Sequence, residues 1–232
     1  MKKIGLIGGV GPESTIEYYR LIIKEFRERL STSDYPEMLI NSINLTEMLV
    51  YINNRKYKDL IKFLLDKIQT LEQGGADFAA IASNTPHIVF DEVQEKTNLK
   101  LISIVEATCK ALKKKDITCT GLFGTKSTMT AGFYKKEVNK YGIEVIVPAP
   151  ESQDYIHDKY MNELVFNIIK KDTKKGLIEI AEKLRINFDI EGLILGGTEL
   201  PLILKQDDFK NIEVFDTTNI HVNSIVSYAI LK

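Results

Sequence analysis

The sequence predicts an α/β protein of two similar lobes, each a four-stranded parallel sheet flanked by helices, with the active-site cleft between them. Three observations carry this expectation. Short apolar runs ending in Gly, Ser, Thr or Asn alternate with longer segments of helical period, the pattern of βα units. The series of runs occurs twice, at an offset of about 110–116 residues. A chain of 232 residues, 44% hydrophobic and 27% charged, is long and apolar enough to bury a sizeable core as one large domain or two small ones.

Strands are expected at residues 3–7, 38–44, 78–82, 101–104, 118–123, 144–147, 192–195 and 212–215. Amphipathic helices are expected between them, at 14–30, 57–73, 106–115, 131–141, 162–169, 174–187 and 218–230. Pro12 suits a first helical turn, and Gly74-Gly75 closes the second helix. The repeat is legible residue by residue. Leu6-Ile7-Gly8, ahead of a helix bearing Tyr18 and Tyr19, returns as Leu122-Phe123-Gly124 ahead of a helix bearing Tyr134. Ser83-Asn84-Thr85 ends one apolar run as Gly197-Thr198-Glu199 ends another. The repeat divides the chain into a first lobe of residues 1–112 plus 217–232 and a second of 113–216. Ligands of parallel α/β sheets lie beyond the carboxyl ends of strands, so the duplicated plan presents two such ends to one cleft.

Composition excludes several functions. Lys plus Arg is 31 and Asp plus Glu is 32, a net charge of −1 that gives no electrostatic case for nucleic acid or a membrane surface. No run of about 18 apolar residues suggests a span, and the expected location is the cytoplasm. The two cysteines, Cys109 and Cys119, form no metal-ligand or redox motif and read as reduced packing residues. No metal is expected, and a small molecule is the expected partner.

The residues with chemistry to offer stand at strand ends. Gly8-Gly9-Val10-Gly11-Pro12-Glu13-Ser14 only partly imitates a dinucleotide fingerprint: Ser14 replaces the third glycine, and no acidic residue closes the next strand. It reads instead as a tight turn whose backbone N–H groups, Val10 among them, face a small carboxylate. Asn84, Thr85, Thr125, Ser127, Thr128 and Thr198 add amide, hydroxyl and helix-start N–H donors, each of which could equally be a cap or turn.

At these residues the sequence resembles the aspartate/glutamate racemase family along its whole length. The carriers are residues 7–15, Asn84-Thr85-Pro86-His87, Leu122-Phe123-Gly124-Thr125-Lys126-Ser127-Thr128 and residues 195–201. The resemblance implies two lobes, a homodimer, cofactor independence and an acidic amino acid as substrate. Family members place one cysteine just before the Asn-Thr and another just before the Thr-Glu; one thiolate removes the α-proton while the opposed thiol delivers another. Here Ser83 and Gly197 hold those positions. A serine hydroxyl needs an activating base, and glycine carries no proton. A Ser83–His87 pair or a water–Glu199 arrangement are the substitutes within reach, and Ser83, Gly197 and Glu199 mark the expected catalytic positions. His157 could face the cleft or the surface, and His221 reads as structural. Arg55, Lys126 and Lys159 are alternative holders of a substrate side chain, with Glu47 opposing an acidic one. Two readings follow: an amino-acid racemase with altered acid and base groups, or a catalytically impaired amino-acid-binding protein.

Overall fold

The structure, a computed structural model, describes residues 1–31 and 34–231. They fall into two compact units, Met1–Ile104 with Thr218–Lys232, and Val105–Thr217.

The first unit runs β1 (Ile4–Gly8), α1 (Pro12–Leu30), β2 (Met38–Ser42), α2 (Leu45–Asn53), α3 (Tyr57–Gln73), β3 (Phe78–Ile81), a 3-10 turn at Thr85–Val89, α4 (Phe90–Glu95) and β4 (Lys100–Ile102). The second runs α5 (Ile104–Lys114), β5 (Cys119–Gly124), α6 (Lys126–Thr130), α7 (Phe133–Asn139), β6 (Glu144–Ile146), α8 (Pro150–Asn162), α9 (Lys171–Phe188), β7 (Gly192–Gly196), α10 (Leu200–Ile203) and β8 (Glu213–Asp216); α11 (Thr217–Ile230) completes the first unit. The sheets are all-parallel, in the orders β2-β1-β3-β4 and β6-β5-β7-β8. The central strands are the apolar runs IGLIG, FAAI and GLILG, buried throughout, and CTGLFG, buried from its second residue, as sheets covered on both faces require. In each sheet the chain leaves the first central strand to one side and returns on the other. The order therefore reverses between β1 and β3, and between β5 and β7, and the ends of those four strands are the places such folds offer to ligands.

Strand periodicity sorts the first unit's core into two layers. Ile7, Ala79 and Ile81 face α3, where Leu60, Leu64 and Ile68 are buried. Leu6, Phe78 and Ala80 face the other way, onto Tyr18, Ile22 and Phe26 of α1 and Val222, Ile225 and Val226 of α11. Each buried Val, Leu, Ile or Phe among them contributes roughly 1.5–3 kcal/mol by burial. His221 is locked in this layer. Its Nε2 donates to the Ile102 carbonyl at 2.8 Å, so its Nδ1 accepts from the Tyr18 hydroxyl, also at 2.8 Å. In the second unit Glu163, just after α8, accepts from Thr173 at 2.5 Å, Lys170 at 3.1 Å and Lys159 at 3.2 Å, which ties the end of α8 to the start of α9.

The helices depart from expectation in several places. The helix expected at 131–141 is α7, which begins at Phe133 after Gly132 at φ +81°, while α2, α4, α6 and α10 stand where no helix is expected. The segment 162–169 is not a helix but the end of α8 and a 3-10 turn at Leu164–Phe166. Instead α8 precedes it, polar enough that only Gln153, Ile156 and Tyr160 are buried. Among the described residues, no helix is long and apolar enough to cross a membrane.

Candidate active site

In the first unit, the turn after β1 depends on two glycines. Gly9 at φ +78° and Gly11 at φ +93° adopt backbone that other residues avoid, and a Cβ on Gly9 would overlap the Ile43 backbone. The turn is less open to a ligand than its sequence suggests. The Gly9 N–H donates to the Thr15 hydroxyl at 2.8 Å, and the Val10 side chain is buried in the core with Ile7, Ile43 and Met48. Only its backbone is left for binding.

Ser83, Asn84 and Thr85 follow β3, all buried, with the Ser14 hydroxyl donating to the neighbouring Ala82 carbonyl at 3.4 Å. A Ser83–His87 pair is not formed. The His87 Nε2 accepts from the Ile104 backbone N–H at 3.3 Å, which puts the ring proton on Nδ1, and that atom has no hydrogen-bond partner among the described residues. Burial, with His221 nearby, pushes the imidazole down to about 3, although the backbone of Ser83 and Asn84 pulls the other way. The ring stacks on Phe90 at 4.8 Å. It is a neutral wedge and a poor base.

In the second unit, Thr125 caps α6: its hydroxyl oxygen accepts from the Thr128 N–H at 3.2 Å and lies 3.0 Å from the Thr128 hydroxyl. Ser127 is half-buried in the same turn. The His157 Nδ1, from α8, accepts from the Lys126 N–H at 3.2 Å, so this histidine docks on the start of α6. Burial, and then Lys126, lower its affinity for a proton.

The end of β7 holds the most unusual group. Glu199 is 2% exposed, and its Oε2 accepts from the Thr198 hydroxyl at 2.9 Å and from the Tyr160 hydroxyl in a short hydrogen bond. Burial raises the carboxyl above its ordinary value, against these two hydrogen bonds. The Thr198 hydroxyl, expected to grip a substrate carboxylate, thus gives its proton to Glu199. The Tyr160 phenol is pushed well above its usual range by burial and by the Glu199 charge. Tyr160 is the residue sequence reading missed. The signal is faint: Ala149-Pro150 as a helix start, and Ile156 and Tyr160 four residues apart in an otherwise polar helix.

The carriers of a substrate side chain are largely engaged. Lys126 pairs with Asp154, and Lys159 lies 3.2 Å from Glu163 and 3.3 Å from Asp158. Arg55 is exposed after α2, and Glu47, also exposed, accepts from Tyr51 at 3.4 Å. Both cysteines are free and remote from the strand ends: Cys109 is buried in α5 with its thiol pushed up to about 12 by burial, and Cys119 opens β5.

A family model for Asp/Glu/Hydantoin racemase matches residues 7–225. The chain belongs to that family. The fold agrees: an aspartate racemase homologue from Pyrococcus horikoshii OT3 superposes with a TM-score of 0.86 at 41% identity over 99% of both chains. A candidate Asp/Glu racemase from Yersinia pestis gives 0.91 at 31% over all of both. The broad specificity amino-acid racemase RacX of Bacillus subtilis is 30% identical over 151 residues, 62% of this chain and 63% of that protein. The chain thus aligns with less than two thirds of that relative's length. Within this family frame, the positions before Asn84 and before Thr198 are Ser83 and Gly197.

Proposed function

We propose that this family member is an amino-acid racemase that removes and returns an α-proton without a bound cofactor, using Glu199 as a proton carrier. The observation that carries the reading is Glu199 itself. A carboxylate held by two hydroxyls, buried and raised in pKa, stands two residues beyond the position where the family places a thiol. In the forward step the carboxylate takes the α-hydrogen as a proton, and the C–H electron pair stays on the substrate, delocalised into its carboxylate. Return of the proton to the same face restores the starting enantiomer, and delivery to the opposite face, by solvent or a second donor, gives the other. In the first unit Asn84, Thr85 and the Val10 backbone, and in the second Thr125, Ser127 and Thr128, are the candidate donors to a carboxylate, and Thr198 orients Glu199. Ser83, with no base at His87, is the weaker of the two catalytic positions.

The substrate is an amino acid, with acidic ones the first class to test and a homodimer the expected assembly. The engagement of Lys126 and Lys159 by carboxylates fits a side-chain site that also accepts neutral residues, in keeping with the broad specificity in the name of the Bacillus relative. Incubation with each proteinogenic amino acid in deuterated water tests the reading. α-Deuterium uptake with loss of configuration is the expected result. Uptake with retention would point to exchange on one face by Glu199 alone. The loss of both thiols favours a second reading, a catalytically impaired amino-acid-binding protein; binding without uptake would establish it in place of the first.

A further inference from the structure

The glycine at 197 has a steric reason. Its backbone is ordinary, outside the positive-φ region that demands glycine, so a side chain would be conformationally allowed there. The space is taken. A Cβ built on Gly197 would overlap Cε2 of Tyr160 and lie 3.0 Å from Cζ and 3.2 Å from Cδ2. The ring of Tyr160, 7% exposed, thus occupies the first atom's worth of any side chain at 197, and its hydroxyl reaches past that glycine to Glu199.

We propose, building on the reading of Glu199 as the proton carrier, that Tyr160 is a positioning residue that takes the room of the absent side chain at 197 and sets the orientation and proton affinity of Glu199. Three features support a built arrangement. The hydroxyls of Tyr160 and Thr198 both donate to Oε2, and neither of these bonds engages Oε1. The helix that carries Tyr160 is anchored one turn further on by Glu163, which binds Thr173, Lys159 and Lys170. Among the described residues the groups that bear on ionisation of Glu199 are Tyr160 from α8, Thr198 from its own turn and its own backbone N–H, so no cation competes with the phenol for control of the carboxylate. Because the phenol donates to the ionised form, it holds the carboxyl below where burial alone would put it. Gly197 and Tyr160 form one unit: a side chain at the first position evicts the second.

The test is the titration of Glu199, followed by carbon NMR in selectively labelled protein without substrate, in the wild type, Tyr160→Phe and Gly197→Ala. Tyr160→Phe keeps the ring and removes the hydrogen bond; Gly197→Ala keeps the phenol and displaces it. Both should raise the Glu199 midpoint, by about one pH unit, and both should move the acidic limb of α-proton exchange upward by the same amount, since the base must be ionised. A purely structural role would lower the melting temperature and leave the midpoint in place. An unchanged midpoint in a folded Tyr160→Phe protein would overturn the proposal. So would a Gly197→Ala protein that titrates like the wild type. If the wild type exchanges no α-proton with any amino acid while both variants shift the midpoint, the role of Tyr160 stands and the racemase reading falls.

Discussion

The ends of β3 and β7 occupy equivalent places in two sheets of identical strand order, yet their chemistry has diverged. After β3 come Ser83, Asn84 and Thr85, with a histidine that is neutral, wedged against Phe90 and bonded to a backbone N–H. After β7 come Gly197, Thr198 and Glu199, with a tyrosine from a different helix filling the place of a side chain. One end has kept its shape and has no evident base. The other carries a buried carboxylate of its own, Glu199, and takes the hydroxyl that holds it from α8. A repeated fold conserves where a group can be placed, and each copy remains free to choose which segment supplies it.

The largest expected effect comes from the functional inequality of the two ends. Glu199→Gln should lower the α-proton exchange rate by roughly 100-fold or more, the usual scale for a general acid or base, whereas Ser83→Ala should lower it by less than about 10-fold. Mass-spectrometric deuterium uptake measures both, and equal losses would erase the asymmetry. Acid stability is the next contrast. His87 and His221 sit at about 3 and about 4 when folded, below the unfolded value, so the folded state binds fewer protons and its stability falls as pH drops below about 6.5. Each histidine contributes a slope of about 1.4 kcal/mol per pH unit until its own folded pKa is reached. Glu199 acts in the opposite sense: its raised value gives stability that is present below the ordinary glutamate pKa and lost as pH rises through the folded one. Amide exchange at pH 5 and pH 7 should therefore show protection lost first in the first unit, around His87 after β3 and His221 in α11; uniform loss in both units would contradict this.

Stability separates the ends a third time. Gly197→Cys should cost about 1–3 kcal/mol by overpacking against Tyr160, and Ser83→Cys, nearly isosteric, less than about 1 kcal/mol. Chemical denaturation reads both, and adding Tyr160→Ala to Gly197→Cys should return part of the loss, with clear non-additivity. The smallest effect is expected at the exposed Lys126–Asp154 pair, where Lys126→Ala should change stability by no more than about 0.5 kcal/mol. A larger change, or a large rise in KM for acidic amino acids alone, would make Lys126 a substrate contact.

The sheets were legible in the sequence because each central strand is an apolar run closed by small residues, and because the runs occur twice. Glu199 was legible for a related reason: it follows such a run directly. Tyr160 was not. Its hydroxyl meets Glu199 across 39 residues of sequence, from a helix whose polar surface conceals its period. Between cap and ligand donor the sequence left Thr125 open, and it did not show the internal use of the Gly9 N–H, for a third reason. A donor written in sequence does not say whether the chain itself or a ligand will receive its proton.

The first unit is interrupted: its sheet is complete by Ile102, but the face that α1 covers in part is finished only when α11 delivers Val222, Ile225 and Val226, and the Lys2 N–H donates to the Ala229 carbonyl at 3.0 Å. As the chain leaves the ribosome, the second unit, all of whose segments come from Val105–Thr217, has every part it needs before the first does. The insert can close while its host waits with Leu6, Phe78 and Ala80 only part-covered by α1. Ribosome-bound chains halted just short of α11 should therefore recruit hydrophobic-binding chaperones to the first unit.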